Sequence, residues 1–329
     1  MRAAVIERHG EPPVLRDRAA PIASRGQVLV KVSAAPIVPL DLLCASGTSY
    51  FGRPPLPFIP GVQGVGVVEQ HGSLDAGSTV WFQTGAGMRP GDGSLAELCA
   101  VPDSDLVPLP PGVDPTLVAA LGLSAVAAWM GLRWRGALQP GEQVLVLGAG
   151  GVVGQVALQV ARLGGARRVL AACRSAPSQE RARRLGADAV VPLADSDDAE
   201  SLAGRLVEAC DGPVDLVLDP LFGVPAAAAL RTLAPHGRLV NLGDSAGGTS
   251  PFDSSTLRSR SLRVLGYTNN ELTGEQRAAA LLAVVDHAAA GRIRLDYDRV
   301  PLDHAARAWS RQAAGEAHRR QVVVTHGES

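Results

Sequence analysis

The sequence predicts an α/β protein in which a β-rich, loop-rich domain is followed by a doubly wound parallel-sheet domain. Up to about residue 115 the chain reads as short apolar segments broken by proline and glycine clusters. From about Thr116 the texture changes: apolar strands of five or six residues alternate with Ala-, Leu- and Arg-rich stretches of helical period, as repeated βαβ units require. Length agrees, because 329 residues suit two domains of roughly 100 to 200 residues each better than one core.

In the first region, residues 27–32, 65–69 and 79–82 read as strands. In the second, strands are expected at 144–147, 168–172, 189–191, 215–218, 238–242 and 262–265, enough for a complete dinucleotide-binding sheet. Helices are expected at 152–163, 178–185, 198–210 and 225–233. A long amphipathic helix follows Thr273 and ends near Gly291, and the Val-rich segment 321–325 suits a strand returning to the first domain.

Composition excludes several functions. Hydrophobic residues make up 46% and charged residues 19%, an ordinary globular balance. A formal net charge of -1 gives no field to draw in nucleic acid or acidic membranes, so neither is an expected partner. The N-terminus lacks the apolar run of a signal peptide and no continuous run of about 18 apolar residues occurs, which predicts a cytoplasmic protein. Cys44, Cys99, Cys173 and Cys210 lie far apart, as reduced structural thiols do. Lys31 is the one lysine, so phosphate contacts by basic side chains fall to arginine.

The strongest motif is Val144-Leu-Val-Leu-Gly148-Ala-Gly150-Gly151-Val152-Val153-Gly154, a buried strand running into glycines and then a helix. Gly148 and Gly150 allow the tight turn, Gly151 lets the backbone approach a pyrophosphate, and Gly154 lets helix and strand pack closely. The helix N-terminus, at Val152 and Val153, offers free N–H groups and partial positive charge to phosphates. At the end of the second strand, where an acid would hold the ribose hydroxyls of NAD, the chain has Arg174-Ser175. A guanidinium and a hydroxyl suit a 2′-phosphate, so the expected cofactor is NADPH in preference to NADH. Leu242 and Gly243 after the fifth strand, and Tyr267 and Asn269 after the sixth, lie at strand ends where ligands bind; Asp219 ends the fourth strand and can support neighbouring backbone instead.

Along nearly the whole chain the sequence resembles the medium-chain dehydrogenase/reductase superfamily, in particular its zinc-independent quinone oxidoreductase branch. The segments MRAAVIERHGEPPVLRDRAAP, GQVLVKVSAAP, SGTSYFGRPPLPFIPGVQGVGVVE, LQPGEQVLVLGAGGVVGQVALQVARLGG and LRTLAPHGRLVNLG carry the resemblance, in family order. It implies a GroES-like substrate domain at 1–120, completed by 270–329, and a Rossmann domain at 121–269. It also implies a homodimer joined through the sixth Rossmann strand.

By the same resemblance, the three catalytic zinc ligands of the metal-dependent members fall on Val38, Val62 and Leu123, which have no lone pair for a metal. Gln63 replaces the carboxylate after the ligand histidine, and no four-cysteine lobe occurs between Gly85 and Pro102. The histidines His9, His71, His236, His287 and His304 are scattered. No zinc and no other metal is expected. Without a Lewis acid, the chemistry left is hydride delivery to an acceptor that is already electrophilic, a quinone or an α,β-unsaturated carbonyl.

The substrate cleft is expected to be lined by Val38, Asp41, Leu43 and Val62, with Asp41 also tying down local backbone and Ala127 where a threonine often touches the nicotinamide. That is more apolar than is usual in the branch and leaves open a tailoring reductase or cyclase of secondary metabolism, or a protein that binds NADPH without turning over. Tyr50 and Ser124 are the candidate catalytic residues, Tyr50 as donor to a developing oxyanion and Ser124 as a contact to nicotinamide or ribose. Cys44 reads as a small hydrophobe, and Trp81, Trp129, Trp134 and Trp309 as core packing.

Overall fold

The computed structural model describes residues 1–69 and 74–325. Internal contacts divide the chain into two compact units, Met1–Gly122 with Asp296–Ser329, and Leu123–Leu295.

In the first unit β1 (Arg2–Val5) pairs antiparallel with β2 (Val14–Asp17). The long β3 (Gln27–Pro36) shows inward and outward alternation over most of its length, as a strand with one covered face must. After it α1 (Pro39–Ser46) starts with a proline in its first turn and stops at Gly47 in the left-handed conformation. Then come β4 (Gln63–Val68), β5 (Thr79–Gln83), β6 (Leu98–Pro102) and β7 (Leu106–Pro108). β3 pairs with β4 and β6, β4 with β5, and β5 with β7, all antiparallel. Gly66 permits the β3 and β4 backbones to approach: a Cβ there would lie 2.3 Å from the Lys31 carbonyl oxygen.

Helix α2 (Pro115–Met130) is broken at Gly122 (φ 36°, ψ -137°) and continues as a π-helical turn at Gly131–Arg135. The stretch Pro115–Arg135 is long and apolar enough to cross a membrane, although no continuous apolar run was visible in the sequence. About three quarters of its most apolar window is buried in the folded chain, as in a core helix.

The second unit alternates strictly: β8 (Gln143–Leu147), α3 (Val152–Leu163), β9 (Arg168–Cys173), α4 (Ala176–Arg184), β10 (Ala189–Pro192), α5 (Ala199–Ala209), β11 (Val214–Asp219), α6 (Gly223–Leu230), β12 (Leu233–Asn241), α7 (Ser254–Ser259), β13 (Arg263–Gly266) and α8 (Gly274–Ala289). The six strands are all parallel, in the order β10-β9-β8-β11-β12-β13. Order reverses between β8 and β11, the doubly wound pattern. β12 begins five residues before its expected start, because the Pro235-His236-Gly237 run that reads as a turn is a bulge inside the strand; His236 takes φ 63° there. α4 starts two residues early because Ser175 caps it and Pro177 is tolerated in a first turn.

The chain then supplies β14 (Tyr297–Pro301), α9 (Ala305–Ala313) and β15 (Arg320–Val324) to the first unit. β15 lies between β14 and β3, parallel to the first and antiparallel to the second. Its Val323 joins Val28, Val30, Phe58 and Phe82 in one core with Trp309. The sequence expectation placed the return to this unit at residue 270, whereas the compact unit resumes at Asp296. Helix α8 groups with the parallel sheet because Gln159 of α3 bonds both the amide and the carbonyl of Arg294, and Trp129 lies 5.5 Å from the His287 ring.

Candidate functional site

The turn after β8 is built by its glycines, each in a different way. Gly148 takes φ 61°, open to glycine at no steric cost. Gly150 was expected to share that turning role; its constraint is instead a neighbour, since a Cβ there would lie 2.7 Å from Ser178 Oγ of α4. At Gly151 a Cβ would meet only the Gly148 carbonyl at 3.6 Å, so the space above this exposed residue is open. At Gly154 it would lie 2.5 Å from both Ala149 Cα and Gly148 O. Gln155 braces the loop by donating from Nε2 to Gly150 O at 2.9 Å. Gly151 is the N-cap of α3 and supplies no side-chain acceptor, leaving the half-buried Val152 and Val153 at a helix start with no side-chain cap. Such a helix start, with amides and a positive end beside open space, is suited to holding an anion.

Beside it, β9 ends at Cys173 and hands over to Arg174 and Ser175. Arg174 is 78% exposed, and its nearest carboxylate is Asp195 at 3.9 Å, itself 95% exposed. Such a pair is largely screened by water and leaves the guanidinium able to turn toward a phosphate. Ser175, expected beside the same phosphate, is engaged locally: its hydroxyl caps α4 by accepting from Ser178 N and donates to Ser178 Oγ at 2.9 Å.

On the other side of β8, at the end of β11, Asp219 is fully buried and accepts from the amides of Leu221 and Phe222 at 2.9 and 2.8 Å. Burial pushes its carboxyl upward against those bonds and a further one from Asn241. Leu242 and Gly243 follow, with Leu242 N donating to Asp219 O at 2.9 Å. Tyr267 donates its hydroxyl to Asn269 Oδ1 at 2.7 Å, and Asn269 Nδ2 donates to Leu123 O at 2.9 Å. Those two side chains, expected at the cofactor, thus hold each other and the α2 backbone next to the half-buried Ser124.

In the first unit, Asp41 is buried in α1 and its oxygens accept from Val38 N at 2.8 Å and Val62 N at 2.9 Å. Burial pushes its carboxyl up to about 6, opposed by these amides and by the buried Arg320 of β15. Arg320 is lowered to about 10 by burial and so stays charged, donating to Ile37 O at 2.9 Å. Of the two roles expected of Asp41, lining the cleft and tying down local backbone, these bonds show the second: it joins the start of α1 to the loop before β4. Val38 and Val62 are brought together by it, both almost fully buried. Leu43 is 39% exposed and Tyr50 is 78% exposed, its ring 4.2 Å from Phe51. Cys44 is buried with its thiol pushed up to about 11, an inert hydrophobe. All four cysteines are free.

Comparison with known proteins follows this geometry closely. Residues 24–111 match the family model "Alcohol dehydrogenase GroES-like domain", and residues 152–285 match "Zinc-binding dehydrogenase". The quinone oxidoreductase of Pongo abelii is 30% identical over 292 residues, covering 86% of this chain and 85% of that protein. Among solved structures, the quinone oxidoreductase of Thermus thermophilus, determined also in complex with NADPH, is 32% identical with a TM-score of 0.81, covering 99% of this chain and 100% of that one. A mycobacterial quinone oxidoreductase reaches a TM-score of 0.87 at 25% identity, with the same coverage. This chain belongs to the quinone oxidoreductase branch of the medium-chain dehydrogenase/reductase superfamily.

As a quinone oxidoreductase-type enzyme it carries the GroES-like and Rossmann parts of that superfamily, and it is an oxidoreductase. The zinc named in one family description does not fit its residues. Among the described residues no three His, Cys, Asp or Glu side chains gather closely enough to hold a metal ion. Val38 and Val62, held together by Asp41, offer no donor. His9, His236, His287 and His304 stand apart, and His71 lies outside the described residues. Trp81 and Trp309 are core residues as expected, while Trp134 is 42% exposed.

The sequence reading overlooked Asn241, the last residue of β12, whose amide Nδ2 bonds Asp219 Oδ2 at 3.1 Å and Gly243 O at 2.7 Å. A polar side chain directly after the apolar pair Leu239-Val240 at the strand end was the available signal. Gln63, which the sequence reading set where metal-dependent members carry a carboxylate, accepts at Oε1 from Trp81 Nε1 at 3.2 Å beneath Gly122; a Cβ at Gly122 would lie 2.0 Å from that oxygen.

Proposed function

We propose that this quinone oxidoreductase relative is an NADPH-dependent reductase, working without a metal, that transfers hydride to a quinone or an α,β-unsaturated carbonyl. The observation that carries the cofactor is the uncapped α3 N-terminus under open space at Gly151, together with Arg174 where an acid would select NAD. Gly148, Gly150 and Gly151 shape the cradle, Val152 and Val153 present amides to the pyrophosphate, and Arg174 meets the 2′-phosphate, with Ser175 fixing the loop that carries it. NADPH supplies the hydride when bound. The protein's own part is to orient, to exclude water and to stabilise the oxygen that gains charge. An acceptor activated by its own conjugation suits a site whose candidate lining, Val38, Leu43 and Val62, is apolar.

The direct test is to mix the protein with NADPH and a panel of quinones and enones and follow the absorbance of the reduced nicotinamide. Turnover is expected; tight NADPH binding with no turnover on any member would make the chain a binder instead. Arg174→Ala is expected to weaken NADPH by about 10- to 100-fold, the loss of a charge-assisted contact, and to leave NADH unchanged. Equal affinity of the parent for both dinucleotides would remove Arg174 from this role.

No one side chain is indispensable as an acid in this reading, since the enolate or quinol oxygen takes its proton from solvent or from either Tyr50 or Ser124. Tyr50→Phe is therefore expected to lower kcat by less than about tenfold, below the roughly 100- to 10,000-fold that general acid catalysis contributes. A hundredfold loss with KM unchanged would make Tyr50 the acid. We further place a homodimer at β13, an outer strand of the parallel sheet on which Val264 is 40% exposed. Light scattering on the purified chain would return the mass of one copy if that pairing does not form.

A further inference from the structure

We infer that the side-chain oxygen of Asn241 accepts a hydrogen bond from the carboxamide NH2 of the bound nicotinamide; this rests on the NADPH reading above. Asn241 ends β12 and is in register with Asp219 of β11 and Gly266 of β13, so it stands at the carboxyl edge of the sheet. Ligands in such sheets bind at this edge, across the reversal of strand order. Arg174 assigns the adenosine half of a dinucleotide to β8, β9 and β10, which leaves the nicotinamide half to β11, β12 and β13.

The orientation of the Asn241 amide is set by its neighbours. Nδ2 faces three acceptors, Asp219 Oδ2 at 3.1 Å, Asp219 O at 3.3 Å and Gly243 O at 2.7 Å, and none of these can donate to an amide oxygen when Asp219 is ionised. The NH2 group therefore points inward and both of its hydrogens are used. Oδ1 must point the other way, and it accepts no hydrogen bond from any described residue on a side chain that is half-buried. The result is one fixed acceptor held out at the strand end by a buried carboxylate.

The mounting is rigid. Asp219 also bonds the Leu221 and Phe222 amides, and Gly243 must be glycine because a Cβ would lie 2.7 Å from Pro220 O. Ser245 Oγ donates to the same Pro220 carbonyl at 3.2 Å, and Ala246 N to Leu221 O at 2.7 Å. The loops after β11 and β12 are thus joined, and Asn241 moves only if they do. A pre-oriented acceptor facing an amide donor discriminates against a ring substituent that lacks N–H, since burying the unpaired acceptor is penalised.

The test compares the affinity of NADPH with that of its reduced 3-acetylpyridine analogue, which keeps the carbonyl and replaces NH2 by a methyl group, using fluorescence titration without any substrate. The parent chain is expected to favour NADPH by about three- to tenfold, the size of one neutral hydrogen bond. Asn241→Ala should bring that ratio close to one. Asn241→Leu, which removes the acceptor at similar side-chain volume, serves the same purpose if the alanine variant does not fold. Ser245→Ala loosens the same loop without touching the acceptor and should keep the parent ratio. A ratio unchanged in the Asn241 variants, with NADPH still bound, overturns the inference and leaves the NADPH reading standing. Failure of the parent to bind NADPH overturns that reading and the inference with it.

Discussion

Gly154→Val is expected to abolish dinucleotide binding and to destabilise the second unit by about 3 kcal/mol, at the upper end of overpacking penalties. The reason is that the neighbours of Gly154 are backbone. A Cβ there would sit 2.5 Å from Ala149 Cα and 2.5 Å from Gly148 O, and neither can swing aside as a side chain would. The start of α3 would have to move off the turn, taking with it the amides of Val152 and Val153. Calorimetric titration with NADPH and a thermal melt measure the two effects. An affinity for NADPH within threefold of the parent would mean that the cradle is not where the cofactor sits.

Asp41→Ala carries the second large effect, a loss of about 3 to 5 kcal/mol, the penalty for stranding one member of a buried charged pair. Two backbone amides, at Val38 and Val62, would lose their acceptors, and the buried Arg320 would lose the carboxylate that attracts it. A denaturant or thermal melt reads this directly, and a change below 1 kcal/mol would show that the tie is dispensable. The pH dependence has a definite sign. With its carboxyl at about 6, Asp41 holds a proton more tightly folded than unfolded. Its contribution to stability is full below the ordinary carboxylate range and declines as pH rises through about 6. Asp41→Asn cannot titrate, so from about pH 4 to pH 7 its stability relative to the parent should shift in favour of the variant.

Much of the second unit was legible because its signals are local. A buried parallel strand is a short apolar run, its helix shows a 3.6-residue period, and the glycines of the turn follow in sequence; the expected helix 152–163 is α3 to the residue. The bounds that moved did so where a local signal pointed two ways. Pro235-His236-Gly237 reads as a turn yet lies inside β12, and Ser175-Ala176-Pro177 reads as a loop yet caps and opens α4. The first unit was harder, because β1, α1, β14 and α9 have no long period, and they are held by pairing across the chain, as where β15 meets β3 some 290 residues away.

By itself the sequence determined the α/β class, the glycine turn after β8, the arginine where an acid would select NAD, and apolar residues where the metal-dependent relatives of this family place ligands. The first three are properties of residue type at neighbouring positions, and the last follows from the family resemblance. The tertiary structure alone decided which two amides Asp41 bonds, that Ser175 caps α4, that Tyr267 and Asn269 bond each other, and that Asn241 holds out an acceptor. Those outcomes depend on which donors and acceptors meet across distant segments, Asp41 with Val62 or Asn241 with Asp219, and a hydrogen bond already made inside the protein is not available to a ligand.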